Sequence, residues 1–288
     1  MIPWAFADGV PFEWQTIDSF AEAANALSDE ITPAQNSYGN WFELIDGALV
    51  THDVCAIGVW LHGNNVTTQA RDTLVTLGVD PTAGASYTDW IPHLLASCAV
   101  TLSPSSTGFE GYGVYYWFPV KLKAGTSIAA KASLNNSDLS HGPACGVQLY
   151  CKPTPAHLAV PGSFVQAFGI DTGNSRGTLI TPGTTGEGAW VELGTLDKPI
   201  RFLDVGLGVH DDTMSNNTYH VDVAIGDATN KKVVIQSAYF ETRVNEALAK
   251  LPAAMPCVGA IGDKIYGRAQ VGPNAADANI SLAAYGVG

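Results

Sequence analysis

This chain carries one stretch of sequence twice, and that duplication limits its fold more than any other feature. Ile31–Leu44 reads ITPAQNSYGNWFEL and Ile180–Leu193 reads ITPGTTGEGAWVEL. Seven of the fourteen positions agree at a constant separation of 149 residues: Ile, Thr, Pro, Gly, Trp, Glu and Leu. A second block follows. Phe118–Ser133, FPVKLKAGTSIAAKAS, matches Met255–Gln270, MPCVGAIGDKIYGRAQ, at a separation of 137. Pro119 meets Pro256, Gly125 meets Gly262, Ile128 meets Ile265, and Lys131-Ala132 meets Arg268-Ala269. Between the two blocks, Leu77-Gly78 aligns with Ile225-Gly226 at 148. The matches keep their order, so the chain reads as one unit built twice. The falling separation places a deletion in copy two, in the loop equivalent to residues 99–111. The predicted organisation is an N-terminal arm (1–29), copy one (30–152), a Pro-rich joint (153–162) and copy two (163–288). The joint, with Pro153, Pro155 and Pro161, is expected to be stiff and extended.

Each copy must fold from strands. Val114, Tyr116, Phe118, Val120 and Leu122 alternate with Tyr115, Trp117, Lys121 and Lys123, the period-two pattern of a half-buried strand. Cys55, Ile57, Val59 and Leu61 form a similar stripe, as do Leu203, Val205, Leu207 and Val209, and Tyr219, Val221, Val223 and Ile225. The segments KAGTS and AIGDK read as turns. Gly206-Leu207-Gly208 lies inside an alternating strand and reads as close sheet packing rather than a nucleotide loop. Charged residues are 14% of the chain, against roughly 25% in an average domain, while Gly (30) and Pro (16) are abundant. Short strands joined by many turns have that composition. Helical spacing is confined to Ile17–Leu27, Tyr239–Leu251 and Trp90–Leu95. The predicted class is all-β: two tandem jelly-roll-like β-sandwiches with a short N-terminal arm and few short helices.

The formal net charge of −13 argues against nucleic acid and against anionic membrane surfaces. No apolar run is long enough to span a bilayer as a helix, and the first residues lack the pattern of a secretory leader, so synthesis in a cytoplasm is expected. The five cysteines (Cys55, Cys98, Cys145, Cys151 and Cys257) form no CxxC pair and no metal spacing. They read as small buried hydrophobes in a reducing compartment, although Cys145 and Cys151 can share one face of a strand.

Signs of chemistry are sparse. No nucleophile elbow, zinc-protease helix, phosphate loop or dinucleotide fingerprint is present. His210, Asp211, Asp212, His220 and Asp222 are the candidates for a small metal site, weighed against a solvated loop and an outward polar face. Glu43 and Glu192 are the repeat-matched acids, but each belongs to a different copy and sits in a W-x-E strand, so a structural role is expected over glycoside hydrolysis. No catalytic residue and no cofactor is assigned. Trp41, Trp117 and Trp190 are the candidates for an exposed platform for sugar rings. Trp4, Phe6, Phe12 and Trp14 in the arm are the candidates for docking on a partner.

The strand ending in YYWFPVKLKAGTSIAAKAS resembles the FP-x-x-I-KAG-S-I-A-A-R-A strand-turn-strand of uncharacterised virion proteins of tailed bacteriophages. The segment ISLAAYGVG is similar to the closing strand of such proteins. The resemblance covers part of each copy. Copy two keeps Pro256, Gly262, Ile265 and Arg268 but lacks the Lys-Ala-Gly turn. The resemblance implies a structural virion protein without catalytic residues: a head decoration protein, a head spike or fibre base, or a tail component. Its implied partners are the major capsid protein or tail and portal proteins, and further copies of itself in a symmetric oligomer. The rival expectation is a carbohydrate- or receptor-binding protein that takes a host glycan.

Overall fold

The computed structural model describes residues 15–18, 29–63, 71–82, 86–98, 114–134, 142–151, 162–175, 177–209, 217–243, 246–250, 254–272 and 279–288. Copy one contributes β1 (Gln15–Asp18), β2 (Asp29–Glu30), β3 (Ala34–Gln35), β4 (Phe42–Ile45), β5 (Val54–Gly63), β6 (Arg71–Asp80), β7 (Thr88–Cys98), β8 (Val114–Phe118), β9 (Ser127–Leu134) and β10 (Pro143–Cys151). Copy two contributes β11 (Val165–Phe168), β12 (Thr178–Ile180), β13 (Val191–Thr195), β14 (Ile200–Val209), β15 (Asn217–Gly226), β16 (Lys231–Arg243), β17 (Glu246–Lys250), β18 (Met255–Gly259), β19 (Lys264–Val271) and β20 (Ile280–Val287). Helix among the described residues is a single 3-10 turn, Gly47–Leu49, capped by the Asp46 carboxylate on the Ala48 N–H at 2.9 Å.

The all-β expectation holds, and the connections are those of a jelly roll. In copy one the first sheet runs β1-β10-β5-β8, with β2 also on β10, and the second runs β3-β9-β6-β7, with β4 on β9. In copy two the orders are β11-β20-β14-β18, with β12 on β20, and β13-β19-β15-β16-β17. The two copies are wound alike, with β3 replaced in copy two by the single bridge Gly183–Gln270 and β17 an addition at the edge of copy two. The residue ladders agree as well. Phe42, Glu43 and Ile45 face Ala130, Ala129 and Ile128, with a bulge after Glu43. Val191, Glu192 and Gly194 face Gly267, Tyr266 and Ile265, with a bulge after Glu192. The matches at 149 and 137 therefore lie side by side in one strand pair, repeated in both copies. The turns that lead into β9 and β19 also repeat, with Gly125 at φ 80° and Gly262 at φ 89°, a region open to glycine.

Several expectations need correction. Thr76 pairs with Lys131, and Asp222 pairs with Arg268, so Leu77 is equivalent to Val223 rather than Ile225. The displacement is two residues, which keeps the same face of the strand and so preserves the pattern that suggested the match. Ile17 and Asp18, read as the start of a helix, lie in β1 and pair with Leu149 and Gln148. Residues 15–18 and 29, assigned to the arm, thus belong to the first sheet of copy one. Trp90–Leu95 lies in β7, and Tyr239–Leu251 forms parts of β16 and β17, paired through Phe240–Lys250 and Glu241–Ala249. Residues 153–161 of the Pro-rich joint fall outside the described residues.

The predicted stripes fill the cores. Val114, Tyr116, Phe118, Val120 and Leu122 are buried, as are Leu203, Val205 and Leu207, and Tyr219, Val221, Val223 and Ile225. Cys55 departs from its stripe, because a bulge where Tyr150 and Cys151 face Ala56 and Val54 turns it aside. Its thiol donates to the Tyr150 carbonyl at 3.1 Å.

β20, inside the β11-β20-β14-β18 sheet, is buried on both faces. Ile280, Leu282 and Ala284 point into the core of copy two, while Ala283, Tyr285 and Val287 join the core of copy one. That double burial explains why ISLAAYGV is a continuous small and apolar run. β7 of copy one lies across β11 and β14, and β17 of copy two lies against β7 and β8. The Tyr285 hydroxyl accepts the Leu95 N–H at 2.8 Å and donates to the His93 carbonyl at 2.8 Å. Tyr116 donates to the Leu95 carbonyl at 2.6 Å. A Cβ on Gly206 would come within 2.5 Å of the Tyr116 hydroxyl, so the G-L-G segment is the close packing expected of it.

Candidate functional site

The two repeat-matched tryptophans stand at equivalent places, each under a cation. Lys131 Nζ sits 4.3 Å from the centre of the Trp41 ring, and Arg268 Cζ sits 4.3 Å from that of Trp190. β9 and β19 supply the cations, and the chain entering β4 and β13 supplies the rings. A cation over an indole face is an electrostatic contact of about 0.5–1 kcal/mol at a partly exposed site. It also occupies a face on which a sugar would stack. Trp41 and Trp190 are both half-buried, so these two candidates are part of the sheet surface.

Around each pair the polar residues follow one plan. Mid-strand in β7 and β16 a bulge puts a non-glycine residue into the left-handed region, His93 at φ 56° and Ser237 at φ 52°. The exposed amide of that residue is held by the side chain across from it. Thr76 Oγ1 accepts the His93 N–H at 3.0 Å, and Asp222 Oδ1 accepts the Ser237 N–H at 2.7 Å. In copy two Arg268 binds Asp222 Oδ2 through Nε and Nη2 at 3.0 and 2.8 Å and also meets Glu187. Glu192 takes Lys264 at 2.7 Å. In copy one Lys131 pairs with Asp89 at 2.7 Å, and Tyr87, against the Trp41 ring, donates to Glu43. Glu43 and Glu192 are each spoken for within their own copy.

The copy-one cluster also holds a His–Tyr pair at the junction. The Tyr38 hydroxyl and His93 Nδ1 are 2.6 Å apart, and a Cβ on Gly173 of copy two would meet the Tyr38 ring at 3.1 Å. Burial pushes the Tyr38 phenol well above its ordinary range. Burial, assisted by the Lys131 charge, lowers the His93 imidazole below 6.5.

The metal candidates are not brought together by the described residues. Asp222 is committed to Arg268 and the Ser237 amide, and His220 packs edge-on against Tyr239. His210, Asp211 and Asp212 lie outside the described residues, as do Trp4, Phe6, Phe12 and Trp14. Cys55, Cys145 and Cys257 are thiols, and burial pushes the Cys257 thiol up to about 11.

Trp117 is not an exposed platform. Its strand position does point it away from the core of copy one, but it is 8% exposed, packed with Ala56 and Ala254 and bordered by Tyr150 and Phe202. Ala254 and Phe202 come from copy two, and alternation within one strand carries no signal of cover arriving from another domain. Among the described residues the aromatics that are exposed include Trp60 of β5, 44% accessible, with the Tyr115 ring 4.2 Å away at a 44° tilt. Tyr115 lies over Gly58, where a Cβ would strike its hydroxyl. The Tyr115 and Tyr150 hydroxyls are 3.2 Å apart, and Tyr150 donates to Gln148 Oε1 at 3.0 Å. Alternation in Val54–Gly63 and Val114–Phe118 places Trp60 and Tyr115 outward. That signal was available, but neither residue lies in a repeat match.

No protein-family model and no curated protein matches this chain. Among solved structures it is similar to PNGF-II, at 9% identity and a TM-score of 0.38, over 95% of this chain. The match spans 65% of PNGF-II's own length. It is also similar to the N-terminal CBM22-1–CBM22-2 tandem domain of Paenibacillus barcinonensis Xyn10C, at 10% identity and a TM-score of 0.25, over 96% of this chain and 92% of the other. A third similarity is to the Cowpea mosaic virus top component, at 10% identity and a TM-score of 0.25, over 93% of this chain and 94% of the other. Likeness at this level assigns no activity.

Proposed function

We propose that this chain is a non-enzymatic structural protein of a tailed-phage virion, a capsid decoration protein or a head spike or fibre-base component that works as a homo-oligomer. The observation that carries the reading is the sheet shared between the copies, with Ala283, Tyr285 and Val287 closing the core of copy one. Domains joined by a small polar contact move relative to one another, whereas a large apolar contact makes one body. A rigid body with few charges suits a particle surface. Attachment is assigned to Trp4, Phe6, Phe12 and Trp14, and repetition over many copies multiplies a modest contact.

The test is a truncation that stops short of β1. Deletion of residues 1–14 is expected to leave the folded double jelly roll and to abolish co-sedimentation with particles of the phage that encodes the chain. Full attachment of the truncated protein would sink the arm assignment. Absence of the intact protein from purified particles, by mass spectrometry, would sink the virion reading itself.

A further inference from the structure

One sheet face has opposite fates in the two copies. In the second match Phe118 is equivalent to Met255, and these residues face Ile57 and Leu203. Counting along the strands, Trp60 is equivalent to Gly206. Trp60 faces Gly146 and Gly206 faces Ala283, while Gly58 faces Gln148 and Asp204 faces Tyr285, so Gln148 is equivalent to Tyr285. By the same count Tyr150 is equivalent to Val287. In copy two this face receives a whole domain: Gly206 makes room for Tyr116, and Tyr285 and Val287 seal the core of copy one. In copy one the corresponding residues are Trp60, Gln148 and Tyr150.

Those replacements unfit the face for another jelly roll. An indole stands where the docking of Tyr116 requires a bare Cα. A carboxamide stands where the interface uses a hydroxyl buried on backbone, and a phenol where it uses an apolar seal. The same replacements suit a small polar ligand. Trp60 and Tyr115 present two adjoining ring surfaces above a floor made by Gly58 and Gly146. With its oxygen accepting from Tyr150, the Gln148 carboxamide leaves its N–H donors to a ligand. Trp60, Tyr115, Gln148 and Tyr150 are uncharged and complement a neutral molecule with an apolar face and hydroxyl edges, and Asp18 of β1 holds the register position beside Gln148, where a carboxylate accepts from hydroxyls. Aromatic rings with a polar tip are suited to such mixed surfaces.

We propose that the outer face of β5, β8 and β10 in copy one binds a neutral saccharide, one pyranose ring stacking on Trp60 and Tyr115 while its hydroxyls bond to Gln148 and Tyr115. The site does not depend on the virion reading and would stand in a protein of any location.

The full chain is to be titrated with neutral hexaoses of glucose (α- and β-linked), N-acetylglucosamine, mannose and galactose, read by tryptophan fluorescence and by saturation-transfer NMR on the sugar. Saturable binding of at least one hexaose is expected. Trp60→Ala should weaken it by about tenfold or more, Gln148→Ala by several-fold, and Trp190→Phe not at all. Unchanged circular dichroism of Gln148→Ala keeps the comparison valid should Trp60→Ala fold poorly. Three outcomes overturn the proposal. No hexaose gives saturation transfer at millimolar concentration, or Trp60→Ala and Gln148→Ala both bind as the parent does, or the parent is an oligomer by light scattering that Trp60→Ala dissolves. The last result would assign the face to a second copy of the chain.

Discussion

At Gly206 the absence of a side chain does as much for the domain junction as the tyrosines that meet there. A methyl at that position would reach the Tyr116 hydroxyl at 2.5 Å and the Tyr285 ring at 3.0 Å. Neither tyrosine can retreat, since each is fixed by hydrogen bonds to the backbone of β7. Gly206→Ala is therefore expected to cost about 1–3 kcal/mol by overpacking, measured by urea denaturation. A midpoint equal to that of the parent would show the junction to be looser than described. His93 makes a second residue-scale expectation. Its imidazole is held below 6.5 by burial and by Lys131, against the opposing pull of Asp89 and Asp171. The folded state thus prefers neutral imidazole, and unfolding takes up a proton in acid. The stability this confers is complete above the unfolded value near 6.5 and is lost as pH falls through the lower folded value. The melting temperature should drop from pH 7.5 to pH 5.5, and His93→Asn, which tolerates the left-handed backbone, should flatten that drop. An unaltered slope in the variant would remove His93 as its cause.

At the scale of strands, the duplication was plain in the chain because residues with backbone duties repeat. Gly125 and Gly262 turn, Trp41 and Trp190 lie under cations, and Ile128 and Ile265 fill the cores. Gly262→Ala serves as a counterpart to Gly206→Ala. No atom crowds the position, so the cost of about 1 kcal/mol comes from its φ of 89° alone, again read by urea denaturation. The supposed helices show where reading from sequence failed. In β7 the bulge at His93 adds one residue, so Ile91, Leu94 and Leu95 are buried at spacings of three and four, as on a helix. β7 is also enclosed by copy two, which removes the polar alternation that marks a half-buried strand. In Glu246–Lys250 the local preference is helical, but the open edge of β16 offers an antiparallel partner, and pairing prevails over propensity. Trp41 and Trp190 stand out in the sequence as sugar-facing candidates for a related reason. Repeat matching selects what the two copies share, whereas Trp60 and its neighbours are what they do not.

The molecule as a whole has two sandwiches but one continuous apolar interior linking copy one to a face of copy two. Calorimetry of the intact chain should show one cooperative transition, with the van't Hoff enthalpy matching the calorimetric value. Residues 163–288 alone would leave Tyr285, Val287 and Ala283 uncovered, and that fragment is expected to bind a hydrophobic dye strongly or to aggregate. Two separated transitions in the intact chain, or a well-behaved fragment with no dye binding, would show that the copies are independent. The shared sheet also sets a timetable for synthesis. Copy one emerges from the ribosome first, yet its interior is sealed by Ala283, Tyr285 and Val287, which follow β10 by more than a hundred residues. An early, unfinished sandwich must wait with its opening exposed until β20 arrives, so the interval between the two halves is the period in which a nascent chain most needs a chaperone.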